Sequence, residues 1–342
     1  AAIVVDSFPP NQRGRAMATY AGISLLFLAA GPLIGGALVQ YASWEWCFWL
    51  NIPIATAAIT LTVALKLHIP RSVPRATDLA SAIALCSGIP LVVIGLQDIG
   101  LRGWHAPGAW IPALAGAGLL AFFCRRQFRL TQPLIDLPLL RDRRLLGNAL
   151  VLFCLQAINI GQAIYGALYL QTVLGFTPLE AGLGSLPLLA PVLVVVHFAG
   201  RFYDRRGPRP PILIGLCAAV IGTIIQAIGV FSLSYPVMAV GMTLLGIGCG
   251  MAMSPANADA LGRVSPQQRG EASGIVQTMR QLGATSGIAA TVMVMHFVPQ
   301  TDELAPMAFS LGFGLHIVLA ITALVCAWVL IRPSGHSSTP TT

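Results

Sequence analysis

Charge is what this sequence has least of: among 342 residues there are 20 Lys or Arg and 12 Asp or Glu, 9% in all. Soluble domains carry about 25% charged residues, and a surface this poor in charge does not stay in water. With 56% apolar residues, the composition excludes a water-soluble globular protein. It also argues against a nucleic-acid partner. The net charge is +8, but the basic residues stand in short clusters between apolar stretches, as they do where charge sets topology in a bilayer. Metal and disulfide patterns are missing as well. The seven cysteines (47, 86, 124, 154, 217, 249 and 326) stand singly, without a Cys-x-x-Cys pair, and read as small core residues. No metal site and no cofactor are expected. Catalytic signatures such as H-E-x-x-H or G-x-S-x-G are absent, and Gly246-x-Gly248-x-Gly250 reads as a helix-packing run, so no enzyme and no catalytic residue are expected.

What is present is a series of apolar stretches of membrane length. About 20 residues at 1.5 Å each cross a hydrocarbon core of about 30 Å. Ten stretches qualify: 15–41, 46–67, 79–98, 108–124, 146–170, 180–200, 210–230, 235–258, 271–297 and 309–331. The expected class is an all-α polytopic membrane protein. Alternate loops hold 18 of the 20 basic residues, from Arg13 and Arg15 to Arg332, whereas the opposite loops hold only Arg102. That asymmetry places the basic loops and the C-terminus on the cytoplasmic side. A Ser/Thr/Pro-rich tail, 332–342, is expected to be disordered. Tyr41, Trp44, Trp46, Phe48 and Trp49 cluster at the outer turn between the first two stretches, as an interfacial anchor would.

The chain also repeats itself. Pro10-Asn11-Gln12-Arg13-Gly14-Arg15-Ala16 recurs as Pro266-Gln267-Gln268-Arg269-Gly270-Glu271-Ala272, with five of seven positions identical at an offset of 256. The same offset pairs Gly31 with Gly287. Each copy opens a helix running in the same direction, as parallel repeats about an axis along the membrane normal require. If the last six helices form one repeat, four helices are expected before residue 1, and the parent protein has fourteen spans. The expected organisation follows: 1–67 ends an N-terminal bundle, 68–145 is an insertion of two helices and a basic loop, and 146–331 is a six-helix C-terminal bundle.

Two motifs give this sequence a family resemblance. Gly22, eight residues, then Gly31-Pro32-Leu33-Ile34-Gly35-Gly36 matches G-x8-G-P-x-x-G-G at every fixed position. Gly200-Arg201-Phe202-Tyr203-Asp204-Arg205-Arg206-Gly207-Pro208-Arg209 fits G-x-x-x-D-R-x-G-x-R. On these residues the chain resembles the major facilitator superfamily, specifically its fourteen-span drug:proton antiporter branch, N-terminally truncated. Ser43 to Pro53 also looks like that family's W-R-W-x-F-x-x-N-x-P turn, with Glu45 in place of the usual Arg. The resemblance implies a major facilitator fold that exports drugs or other small amphipathic compounds in exchange for protons by alternating access. Gly22, Gly31, Pro32, Gly35 and Gly36 would then be the antiporter motif that limits leakage. Gly200, Asp204, Arg205, Gly207 and Arg209 would form a cytoplasmic gate loop. A monomer in a bacterial inner membrane is expected, with a periplasmic adaptor among the partners to test.

Polar residues inside spans are functional candidates by default. Gln156, Asn159, Gln162 and Tyr165 on the fifth stretch, with Gln277, Arg280 and Gln281 on the ninth, are the candidate substrate cavity. Asn257 and Asp259 end the eighth stretch and reach toward the cytoplasmic end of that region. His197, His296 and His316 read as packing or interface residues rather than as a proton relay, the alternative role for a lone His near a helix end. All 12 acidic residues fall in loops or at helix ends, so the proton-coupling carboxylate is expected upstream of residue 1. The alternatives are an exporter of one endogenous metabolite on the same fold, or a chain inactive by itself.

Overall fold

A computed structural model describes residue 27 and residues 30–64, 78–102, 107–130, 142–262, 264, 269–296, 298 and 305–331. These residues are helical or in short turns, with no strand among them. In chain order the helices are α1 (30–41), α2 (Trp46–Ala64), α3 (Leu79–Arg102), α4 (Trp110–Gln127), α5 (Arg143–Thr172), α6 (Pro178–Arg206), α7 (Arg209–Phe231), α8 (Tyr235–Gly262), α9 (Arg269–Met295) and α10 (Ala305–Leu330). Seven of them, α2, α3, α5, α6, α7, α8 and α10, carry a stretch long and apolar enough to cross a membrane. The chain divides into two compact units, one of Ala1–Ala76 with Leu170–Leu186, the other of Thr77–Tyr169 with Pro187–Thr342.

In the first unit, α2 shows how a polar sequence is made fit for lipid. Thr56, Thr60 and Thr62 each turn their hydroxyl back to the carbonyl four residues earlier, at 2.8, 2.8 and 2.7 Å, so no hydroxyl is left without an acceptor. Asn51 does the same at the helix entrance, donating to the carbonyls of Cys47 (3.2 Å) and Phe48 (3.3 Å). Nearby, Pro53 removes one backbone donor from the ladder.

The second unit is organised around α5. Asp142 caps its start, accepting from the Arg144 N–H at 2.8 Å. From there α5 packs on α8, α9 and α10, while α7 packs on α8 and α10. Glycine sets these distances. Side chains at Gly215, Gly222 and Gly229 of α7 would meet backbone atoms of α8, and side chains at Gly241 and Gly248 of α8 would meet backbone atoms of α7. Close approach of backbones supplies dispersion contact in lipid, where no hydrophobic drive separates helix from solvent. Gly283 and Gly287 of α9 do likewise against Phe153 and Ala157 of α5.

The helices α3 and α4 form a hairpin with α3 against α9. Gly88 and Gly95 of α3 face Leu120, Gly116 and Ala113 of α4. One end is closed by a polar clamp. Arg126 donates to both Asp78 oxygens, at 2.6 and 2.9 Å, Ser81 donates to Asp78 at 2.5 Å, and Gln127 donates to Ser81 at 2.9 Å. The guanidinium, and after it the Ser81 hydroxyl, hold the Asp78 carboxyl well below the usual carboxylate range.

Candidate transport site

The antiporter-type motif lies on α1, apart from Gly22, which is outside the described residues. Its glycines divide into two kinds. A side chain at Gly36 would come within 2.6 Å of the Pro178 carbonyl oxygen, so α1 touches the start of α6 there backbone to backbone. Reciprocally, a side chain at Gly182 would come within 2.5 Å of the Pro32 carbonyl oxygen. Gln40 completes the contact by accepting from the Leu179 N–H at 3.1 Å, one of the orphan donors at a helix start. That start is built with care. Gly175 turns at φ +70°, and Thr177 and Glu180 form a reciprocal capping box ahead of Pro178. Gly31 and Gly35, by contrast, have open space where a side chain would go.

The turn between α1 and α2 keeps the aromatic residues exposed, with Trp44 and Phe48 meeting edge to face at 5.9 Å. Glu45, where the family pattern has Arg, is held below the usual carboxylate range, chiefly by the Ser43 side chain.

The candidate gate loop joins α6 to α7. Gly207 adopts φ +78° and its N–H closes on the Tyr203 carbonyl at 2.8 Å, the left-handed stop that favours glycine. Pro208 follows and α7 begins at once. Arg209 reaches across to the Trp328 carbonyl of α10 at 3.4 Å, and Arg206 lies 5.3 Å over the Phe202 ring. Asp204 and Arg205 are exposed, Gly200 has open space beside it, and Asp204 makes no ion pair among the described residues.

The seven cavity candidates do not share one surface. Steps of three residues walk around a helix by about 60° each, so Gln156, Asn159 and Gln162 fan across α5 over about 120°. Gln156 is half-buried, Asn159 sits against Cys249 of α8, and Gln162 is enclosed, with 1% exposure. Tyr165 is buried too, its hydroxyl donating to the Ile288 carbonyl of α9 at 3.3 Å. On α9, Gln277 and Gln281 are exposed, while Arg280 is half-buried and its Nε has no acceptor among the described residues. Gln162 also opens a π-helical turn, Gln162–Gly166, inside α5. Such turns interrupt the regular ladder and recur at functional sites.

Three features add to the sequence expectations, which named Asp259 and His316 but neither their partners nor Gln226. Asn148 donates to Asp259 at 2.7 Å, and the carboxyl is only 3% exposed between α5 and α8. Gln226 of α7 is 1% exposed, and neither atom of its amide finds a partner among the described residues. His316 of α10 is 1% exposed beside Thr291 of α9. A lone amide in the apolar run of α7 was a readable signal; the pairings across helices were not. The first copy of the internal repeat (10–16), residues 266–268 of the second copy, Arg263 and the tail 332–342 lie outside the described residues.

The family comparison agrees with this architecture. The sequence model of the Major Facilitator Superfamily matches residues 1–288, and the chain belongs to that family. Among curated proteins it is similar to the Multidrug resistance protein B homolog of Mycobacterium tuberculosis (strain ATCC 25618 / H37Rv), 28% identical over 90% of this chain and 58% of the relative. It is also similar to the Lincomycin resistance protein LmrB of Listeria monocytogenes, 26% identical over 94% of this chain and 71% of the relative. The Drug efflux pump JefA of Mycobacterium tuberculosis is 28% identical over 84% of this chain and 57% of the relative. The chain thus spans about three fifths of the length of the first of these, 58%. Among solved structures, a bacterial homolog of the human lysosomal transporter Spinster, in an inward-facing and occupied conformation, matches with a TM-score of 0.54 and 16% identity. That match covers 97% of this chain and 72% of the other, and it shows the fold. The chain is a multi-pass membrane protein of the Major Facilitator Superfamily, and its curated relatives include bacterial multidrug resistance and drug efflux proteins.

Proposed function

We propose that this chain belongs to an exporter of drugs or similar amphipathic compounds that is driven by protons and works by alternating access. The observation that carries this reading is the seating of Gly36 and Pro32 of α1 on the backbone of Pro178 and Gly182. A glycine-rich helix so seated has no side chains to part its backbone from its neighbour, and it forms a seal against leakage along the transport path. Residues 1–67 then end the N-terminal bundle, 146–331 form the C-terminal one, and the α3–α4 hairpin is an insertion. Asp204, Arg205 and Arg209 act at the cytoplasmic loop, and the C-terminus lies on that side of the bacterial inner membrane. Gln156 and Arg280 contribute to the substrate path, with neutral amides suiting weakly polar compounds.

The test uses everted membrane vesicles carrying the chain. Ethidium accumulation on acidifying the lumen, abolished by nigericin, is the expected result; accumulation indifferent to nigericin would sink proton antiport. Gly36→Leu should lower the driven uptake by about an order of magnitude at equal membrane abundance. A second reading, that the chain does not transport by itself, is favoured by α2, where every residue from Asn51 to Ala64 is exposed. The same vesicles decide between the two.

A further inference from the structure

His316 sits near the middle of α10, eleven residues from its start and fourteen from its end. Its imidazole occupies space that exists because residue 161 of α5 is glycine: a side chain there would come within 2.7 Å of Nε2. Phe313 meets the ring edge to face at 5.5 Å, and Tyr169 in turn meets Phe313 at 6.5 Å.

The hydrogen-bond pattern assigns the proton to one ring nitrogen. The Thr291 hydroxyl donates to the Gly287 carbonyl at 2.8 Å, so toward His316 it has only lone pairs to offer. Nε2, 3.4 Å away, is therefore the N–H donor. Nδ1 is left as a bare lone pair, buried and without a donor among the described residues. His197 and His296 are built the other way. In each, Nδ1 lies 3.0 Å from the carbonyl four residues earlier, Leu193 or Val292, and donates to it. Both of those rings are exposed.

A bare imidazole nitrogen inside a bundle is a proton acceptor, and the ion it forms needs an acceptor of its own. Among the described residues the elements around it supply no charged acceptor near the ring. α10 has no Asp, Glu, Lys or Arg and one other titratable group, Cys326, and the titratable groups on α5 nearest Gly161 are Tyr165, Cys154 and Tyr169. At the end of α9 the titratable group nearest Thr291 is the exposed His296, five residues on, and the nearest charge is Arg280, eleven residues or about 16 Å the other way. On α7 the only titratable group beyond Arg209 is Cys217. An imidazolium buried without a charged partner is costly. An unused acceptor stands next in sequence to Gly161: Gln162, enclosed, with neither amide atom partnered among the described residues, at the first position of the π-turn.

We propose that His316 is a proton-binding site of the transporter, loaded at Nδ1 when α10 and the π-turn of α5 part and water enters, and emptied when they close. The proton comes from water on one side of the membrane and returns to water on the other. No other bond changes. The proposal rests on the proton-antiport reading and locates a coupling group in this half of the molecule. Loading and packing exclude one another, and that exclusion links the proton to the conformational change.

The experiment compares two ethidium assays in the same vesicles: accumulation driven by an acid lumen, and counterflow exchange with no gradient. H316Q keeps an N–H donor for Thr291 but cannot take up a proton. It should lose driven accumulation by about tenfold or more while counterflow stays within about twofold of wild type. Thr291→Val removes the acceptor that fixes the tautomer, and should shift the pH profile of driven transport while counterflow persists. H316Q accumulation equal to wild type overturns the role of His316 alone, as does a proportional loss in both assays, which marks a packing residue. Wild-type counterflow without any driven accumulation overturns proton antiport and the proposal together.

Discussion

The α7–α8 seam and the surroundings of α5 use the same small-residue packing toward different ends. Along α7, glycines 215, 222 and 229 fall every seven residues and are answered by glycines 241 and 248 of α8. The seam is regular over its whole length, and its threonines close on their own helix: Thr223 donates to Val220 and Thr243 to Ala239, both at 2.9 Å. Around α5, glycines 283 and 287 of α9 make equally close contacts. There the helix is interrupted by a π-turn, and the polar groups reach across: Asn148 to Asp259, Tyr165 to Ile288, Tyr169 to Val230 at 3.0 Å, and His316 to Thr291. Close packing alone makes a static wall. Close packing with polar groups bonded between helices makes a joint whose bonds have to be exchanged when it moves.

Breaking that comparison starts with the wall. Gly222→Val places atoms where the Leu245 N and the Gly241 carbonyl oxygen lie within 2.5 and 2.8 Å of an added Cβ, and overpacking of that kind costs about 3 kcal/mol. Thermal unfolding in detergent should show a large drop in midpoint; an unchanged midpoint would mean the seam opens freely. Next comes the joint. Asn148→Leu removes a hydrogen-bond donor from buried Asp259 and should cost about 1.5–3 kcal/mol, read by the same unfolding assay. Asp259→Asn in the Asn148→Leu background should recover part of that loss, because a neutral amide costs less to bury beside the introduced leucine than a carboxylate. A double-mutant cycle without coupling would place the carboxylate in water instead.

The smallest effect is expected at the Asp78–Arg126 clamp, which is partly exposed to solvent. Because the folded carboxyl is held below its ordinary value, its contribution is present above about pH 4, the unfolded value, and is lost as pH falls through the lower, folded one. Arg126→Gln should therefore lower stability by a small, constant amount at neutral pH, and the difference from wild type should vanish as pH falls through the folded value, which flattens the acid side of the profile. A difference that grows above neutral pH would reverse the assignment.

Much of the architecture was legible in the sequence because lipid imposes a simple rule: a stretch of about 20 apolar residues has few alternatives to a helix. Each of the ten expected stretches holds a helix among the described residues, in order, and seven of those helices are long and apolar enough to cross a membrane. Gly207-Pro208 marked the α6–α7 turn, where Gly207 has its positive φ. Part of the candidate cavity was not legible. Gln156, Asn159 and Gln162 looked like one set because they recur every three residues, yet that step rotates around α5 and ends with Gln162 enclosed. Burial of Asp259 was equally hidden, since its position near a helix end says nothing of which helix covers it.

The sequence by itself determined the class, the order of helices and the motif glycines, because each of these depends on local composition and periodicity. Tertiary structure alone decided which polar groups meet. Asn148 and Asp259 stand 111 residues apart and Thr291 and His316 stand 25 apart. Nothing short of packed helices brings such partners within bonding distance or leaves one imidazole nitrogen bare.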